Sequence, residues 1–490
     1  MAERLAFGYG TTGHAGQAPA RGSAGSKQPA SSAVAPAARP RRDAFAARER
    51  FDWAFVGLLV FTAILYFRPQ DQATALRVLP LAEIAAIGAL VAMVMGRLGR
   101  GQGVTRFTPE IAGVAALGGI ILLTAPFSIW MGGAIGTFTD MYVKVMLIFV
   151  LMVNTLNSPK RLDRFMWLIV IATGYLAFRA VFDYARGFNL VESGRVRGAI
   201  GGIFRNPNDL ALNMVAVLPL AASLALRAPT LVRRVAAAGC AMLMIGAVVA
   251  SQSRSGTVGL AVMALFLGGY LLRRRPGVAL AAVLALVLAL PFVPASYLHR
   301  ISSITDESRD ETGSREARQI LLRESFAAFL AHPITGVGAG QFKNYNPEGR
   351  QEAWRESHNV ILQVAAELGI LGVIAFVFLV ARAAMAGGQV RRLLRRSGLA
   401  FRPRGSTAPP DETPVTPYEV NWLRTHSAAM AAALAGWFAC ALFASVAYNW
   451  TFYYLLALAI APREILLDRL TGAAKTRRAA AAIRMREVRA

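Results

Sequence analysis

Residues 256–295 read GTVGLAVMALFLGGYLLRRRPGVALAAVLALVLALPFVPA, and this stretch decides the fold. A run of apolar residues from Gly256 to Leu272 meets Arg273, Arg274 and Arg275. A second run follows from Val278 to Ala295. Each is long enough, as helix, to cross a hydrocarbon core of about 30 Å. A basic cluster between two such runs is the pattern of a short cytoplasmic loop.

Working outward from there, similar blocks recur along the whole chain. They lie near 52–67, 76–96, 109–130, 138–155, 165–183, 208–226, 235–251, 358–381, 427–447 and 450–466. With the first two, this predicts an all-α polytopic membrane protein of about 12 transmembrane helices. Composition agrees: 55% of the 490 residues are hydrophobic and only 17% are charged. Mean hydropathy is +0.44. Soluble domains carry nearer 25% charge.

The net charge of +25 would suit nucleic acid, but its distribution excludes that partner. The positives cluster between apolar blocks, at Arg97 and Arg100, Lys160 and Arg161, Arg233 and Arg234, Arg273 to Arg275, and Arg391 to Arg396. With the N-terminus in the cytoplasm, every even-numbered connection is basic, as the positive-inside rule requires. Both termini are then cytoplasmic. Residues 1–51, rich in Ala, Gly, Ser, Pro and Arg, read as a disordered basic tail without the apolar core of a signal peptide. Residues 52–466 form the membrane domain, and 467–490 a second basic cytoplasmic tail. The segment 397–418 is a Pro-, Thr- and Ser-rich linker. Cys240 and Cys440 fall inside apolar blocks, so neither a disulfide nor a thiolate metal site is expected.

The outward connections differ in kind. The longest, 296–357, carries cations nearly balanced by carboxylates, with a helix from Ser314-Arg315-Glu316-Ala317 to about 331, stopped by His332-Pro333. Arg186, Arg195, Arg197, Arg205, Arg254, Arg300, Arg315, Arg318 and Arg323 all map to this side. An isolated interfacial arginine such as Arg254 is usually an anchor. Repeated departures from the charge bias on one face point instead to an anionic ligand. Guanidinium forks match phosphate oxygens.

His358 heads the tenth span and faces the same compartment. A histidine there is usually a polar boundary residue. The helix dipole, however, disfavours its protonation and leaves it available as a base for a hydroxyl. Asn208 or Asp209 reads as the cap of the sixth span. Gly336-Val337-Gly338-Ala339-Gly340 lacks the strand and the Gly-Lys-Ser/Thr of a phosphate loop and reads as a compact turn. Asp306, Glu307, Asp310 and Glu311 lack the spacing of a calcium loop and read as a solvated face. Glu367 and Arg179 lie inside spans, where they could pair with each other or serve function.

Three segments together resemble the O-antigen ligase/polymerase superfamily. They are Phe204-Arg205-Asn206-Pro207-Asn208, Ser253-Arg254-Ser255-Gly256, and the run from Ser314 to Gly372. That run holds Arg315, His332-Pro333, Gly336-Val337-Gly338, His358-Asn359 and Ala366-Glu367-Leu368-Gly369. The resemblance implies a GT-C-like membrane glycosyltransferase of the bacterial inner membrane. Such an enzyme moves a glycan from an undecaprenyl-diphosphate carrier to an acceptor hydroxyl at the periplasmic face, with neither metal nor cofactor. By the same resemblance His358 and Arg254 are catalytic, and Arg205 and Arg315 bind the carrier diphosphate; Arg318, Asn208 and Asn359, on the same face, are expected to bind substrate beside them. The acceptor could be lipid A-core, a growing glycan or a protein hydroxyl, and the sequence leaves these open. A polysaccharide or lipid transporter is the competing class, although no internal symmetry is visible. An envelope-assembly scaffold is a third.

Overall fold

The computed structural model describes residues 51–72, 76, 79–191, 194–199, 204, 206–302, 314–352, 354–396 and 415–489. The two tail-and-linker expectations at 1–50 and 397–414, and the acidic run 306–311, lie outside the described residues.

The helices of eight or more residues are α1 Trp53–Phe67, α2 Leu81–Leu98, α3 Pro109–Thr124, α4 Val143–Thr155, α5 Pro159–Arg186, α6 Pro207–Arg227, α7 Leu231–Ser251 and α8 Arg254–Arg274. They continue with α9 Pro276–Ala289, α10 Ala295–Ser302, α11 Ser314–Ala331, α12 Val360–Arg396, α13 Pro417–Ala441 and α14 Trp450–Arg489. Proline opens α3, α5, α6, α9 and α13 in the first turn, where its missing N–H costs nothing.

Among the described residues, ten helices are long and apolar enough to cross a membrane. Counting the bent pair Pro276–Phe292 and Ala295–Ser302, which turns through 105°, makes eleven. The remaining expected span corresponds to α13. Its first half carries Asn421, Arg424, Thr425, His426 and Ser427, which lowers its hydropathy. Thr425, His426 and Ser427 are buried among neighbouring helices, whereas Asn421 is exposed and Arg424 half-buried. Trp422, Ala432, Ala433 and Trp437 are fully buried, and α13 packs on α8, α6 and α12. It approaches α8 at Gly259 and Gly436, where a Cβ on Gly259 would meet Cys440 Sγ at 2.2 Å. Small residues at such a crossing let two membrane helices touch backbone to backbone. By contrast α9 keeps Leu284, Leu286 and Leu288 more than half exposed, as a lipid-facing helix should.

Two features shape the end of the bundle where α6, α8 and α12 begin. The loop after α5 forms a small antiparallel hairpin, Leu190–Val191 against Arg195–Val196. And α12 is broken: Gly369 has φ 62 and ψ −161, a backbone region open essentially to glycine alone. The loop after α11 docks into that break. Val337 N–H donates to Ala366 O at 2.8 Å, Gly338 N–H to Glu367 O at 2.9 Å, and Ile370 N–H to Pro333 O at 2.8 Å. A Cβ at Gly336 would sit 2.3 Å from the Glu367 carbonyl carbon. The glycines thus form a compact turn, as expected, whose task is to brace an interrupted span.

Candidate active site

Helices α6, α8 and α12 all begin at the same end of the bundle. Each N-terminus presents unsatisfied N–H groups and the positive end of a dipole, a setting that attracts anions. Their caps are built from side chains. Asn206, rather than Asn208 or Asp209, caps α6 by accepting from Asn208 N–H at 2.8 Å. Pro207 at the next position fixes the geometry that lets the earlier asparagine cap. Ser253 caps α8 by accepting from Gly256 N–H at 3.1 Å. Asn359 caps α12, its Oδ1 accepting from Ile361 and Leu362 N–H at 3.0 Å each.

Arg254 is therefore the first residue of α8. It lines a cavity of about 470 Å³ together with Arg318 from α11, His358 and Asn359, closed on its apolar side by Val258, Leu322 and Phe443. Arg195, on the hairpin, donates to Ser251 O at 3.2 Å and to Asn208 Oδ1 at 2.8 Å. Arg300, from α10, donates to Gln252 O at 3.0 Å. Burial, and then the charges of Arg300, Arg318 and Arg254, push the Arg195 guanidinium down to about 10. Four arginines from four separate elements thus share one electrostatic environment.

His358 stands in the wall between this cavity and a second one of about 430 Å³. The second cavity is polar and acidic: Asp209, Glu356 and Glu367 line it with Asn206, Asn208 and Asn449. Glu367 is 5% exposed, and its carboxyl adjoins the Tyr448 hydroxyl without a well-formed hydrogen bond between them. Burial pushes the Glu356 carboxyl up, an effect that Lys343 partly offsets. His358 itself has φ 49, in the left-handed region, and its N–H donates to Ser445 Oγ at 3.0 Å. Its imidazole is lowered to about 4, by burial first and then by Arg318 and Arg355. It is neutral at pH 7, as the sequence suggested, although burial and cations are the cause acting here.

The expected site residues divide into three groups. His358, Arg254 and Arg318 come together. Asn208 lies at the same place, but its Oδ1 already accepts from Arg195 and from Ser253 Oγ at 2.8 Å, so it links the hairpin to α8. Asn359 is engaged at both ends, with Nδ2 donating to Leu442 O at 3.1 Å. Its role in this structure is the helix cap. Arg205 and the side chain of Arg315 lie outside the described residues. Arg179 pairs with Asp183 one turn along α5, at 4.0 Å, and not with Glu367.

Sequence reasoning passed over Lys343, Glu356 and Ser445, each of which lines the acidic cavity. Only the outward placement of the first two was available as a signal. Among the described residues there is no group of three or more His, Cys, Asp or Glu side chains able to hold a metal ion. Residues 239–377, from α7 to the first half of α12, are similar to the family model described as O-antigen ligase. No curated protein matches the chain.

Proposed function

We propose that this chain is a member of the O-antigen ligase/polymerase superfamily and transfers a glycan from a polyprenyl-diphosphate carrier to a sugar hydroxyl at the periplasmic face of the bacterial inner membrane. The single observation that carries the reading is the position of His358, in the wall shared by a cationic cavity and an acidic one. The cationic cavity has an apolar flank and suits a lipid diphosphate. The acidic one, lined by carboxylates and amides, suits the hydroxyls of an acceptor sugar.

In this scheme the acceptor oxygen attacks the anomeric carbon of the donor. The bond from that carbon to the diphosphate oxygen breaks, and its electron pair leaves with the carrier. His358, neutral at pH 7, orients the acceptor hydroxyl and takes its proton as the new glycosidic bond forms. Arg254 and Arg318 face the leaving diphosphate and stabilise its developing charge. Preorganised cations in a site shielded from water do this without reorganising. The α8 N-terminus adds its dipole in the same direction. The enzyme is read as metal-independent, with charge stabilisation supplied by guanidinium groups, and the termini as cytoplasmic.

The test is reconstitution of the purified chain with polyprenyl-diphosphate-linked glycan and, in turn, lipid A-core, oligosaccharide and protein acceptors. Covalent transfer is expected to one of the two sugar acceptors. His358→Ala and Arg254→Ala should insert normally and transfer at least about a hundredfold more slowly, the usual loss on deleting one such group. Movement of carrier across the bilayer with no covalent product would replace this reading with a transporter. That outcome has some structural motive, since broken spans such as α12 are common in transporters.

A further inference from the structure

Helix α8 has a second cationic end. Arg254 opens it, and Arg273 and Arg274 close it, followed by Arg275. At 1.5 Å per residue the two ends are roughly 30 Å apart, one hydrocarbon thickness. At this far end lies a cavity of about 880 Å³ between α8, α12 and α13. Six arginines line it: Arg273, Arg274 and Arg275 from the end of α8, Arg391 and Arg395 from α12, and Arg424 from α13. No carboxylate is among the lining residues.

The positive-inside bias accounts for arginines on this side, but only for their presence in loops and helix ends. It does not account for three helices, far apart in sequence, directing cations into one cleft. Like charges gathered there repel one another unless an anion is shared between them. The rest of the lining says which kind of anion. Leu265 and Phe266, 75% and 55% exposed, lie about two turns before the arginines on α8, hence roughly 13 Å deeper in the bilayer. Gly269 lies between, and a Cβ there would meet nothing within 4 Å. The cleft is thus basic at its mouth, open along its length and apolar at depth.

We propose that this cleft binds an anionic phospholipid of the leaflet opposite the His358 site, with its phosphate among the six arginines and an acyl chain along Gly269, Phe266 and Leu265. Basic pockets between membrane helices suit such headgroups. The site is separate from the glycan-transfer centre and does not depend on that reading.

The experiment uses the full chain in bilayer discs of phosphatidylcholine alone or of phosphatidylcholine with phosphatidylglycerol. Lipid retained through detergent extraction is identified by mass spectrometry, and thermal stability is followed as phosphatidylglycerol is titrated. Phosphatidylglycerol is expected to be retained and to raise the melting temperature. Arg391→Gln/Arg424→Gln should weaken its binding roughly thirtyfold, since each basic residue near an anionic surface is worth about fivefold. Gly269→Leu keeps every arginine, and so the topology signal, while filling the open groove. It should also lose the retained lipid. Equal retention of phosphatidylcholine, or undiminished phosphatidylglycerol in both variants, overturns the proposal. So does equal stabilisation by inorganic phosphate alone, which would make the ligand a free anion.

Discussion

Ser445 holds His358 from behind: its Oγ accepts the His358 N–H at 3.0 Å and lies 3.2 Å from Ser357 Oγ. Ser445 belongs to the connection between α13 and α14, so two helices remote in sequence fix the left-handed backbone at His358. A histidine at φ 49 keeps that conformation only while its surroundings enforce it. Ser445→Ala should therefore let the imidazole drift. The expected loss in kcat is about ten- to a hundredfold, since small displacements of a reacting group cost that much. KM should change little, and Ser445→Thr should restore part of the rate. A purely structural role would instead lower yield and leave kcat of the folded fraction intact.

The imidazole also predicts a pH signature. Its value is depressed to about 4, first by burial and then by Arg318 and Arg355. A bound diphosphate would offset the arginine charge, raising the imidazole toward its ordinary value near 6.5. Activity needs the neutral form, so protonation should remove it as pH falls. The acid limb of kcat/KM, which reports the free enzyme, should then lie near pH 4. The limb of kcat, which reports the occupied enzyme, should lie higher. Two coincident limbs would mean that the arginines do not sense the donor.

Asn359 offers a clean separation of cap from ligand. Its Oδ1 accepts two backbone N–H groups and its Nδ2 donates to Leu442 O. Asn359→Ser keeps a cap acceptor without adding charge to the cavity, and Asn359→Ala removes it at a cost of about 1 kcal/mol. If the cap is its role, the serine variant should melt above the alanine variant. Donor KM should stay within about twofold in both, because a residue engaged in the fold has no contact to lose. A large rise in KM for both variants would make Asn359 a substrate ligand.

Much of this architecture was legible from the chain because bilayer crossing imposes a length and a charge bias on the sequence. Gly256–Leu272 and Val278–Ala295 announce spans by composition alone. The grouping of Arg254, Arg318 and His358 followed from topology, since all three were assigned to one face. What stayed hidden depends on contacts across the fold. Helix α13 looked like any other span, yet Thr425, His426 and Ser427 in its first half are buried inside the bundle. Asn208 looked like a cap, but the register of α6 gives that task to Asn206. Glu367 was visible as a charge in a span, whereas its place at the acidic cavity requires the break at Gly369.

That break is itself testable. Gly369 has φ 62 and ψ −161, and a Cβ there would lie 2.4 Å from Ile334 O. Alanine cannot adopt this backbone without strain of about 1–3 kcal/mol, and the clash adds to it. Gly369→Ala should push the Gly336–Gly340 turn off α12 and displace Glu367. Glycan transfer should fall steeply, and protease cleavage in the 332–345 loop should quicken. Wild-type cleavage rates would show that the helix can run straight through without loosening the turn.

The last prediction concerns stability at the end of the bundle remote from His358. Glu110 is fully buried in the first turn of α3 and binds two cations. Arg463 of α14 donates to both its oxygens, at 2.8 and 2.7 Å, and Arg382 of α12 donates at 2.7 Å. Arg463 also donates to Gln389 Oε1 at 2.8 Å. The opposite end of α3 leads to Ser128, beside Gly338 of the outward turn, so the triad lies about one bilayer thickness from the site. Removing one member of a buried ion set strands its partners at a cost of about 3–5 kcal/mol. Glu110→Gln should accordingly lower the melting temperature in detergent while leaving the transfer rate of the folded fraction unchanged. Arg463 also pairs with Glu464, so replacing the whole set, as Glu110→Leu/Arg382→Leu/Arg463→Met/Glu464→Gln, should recover most of that loss, because Arg106 keeps Asp468 and none of the set is left charged. If the single variant melts like wild type, water must reach Glu110, and the triad does not hold α3, α12 and α14 together.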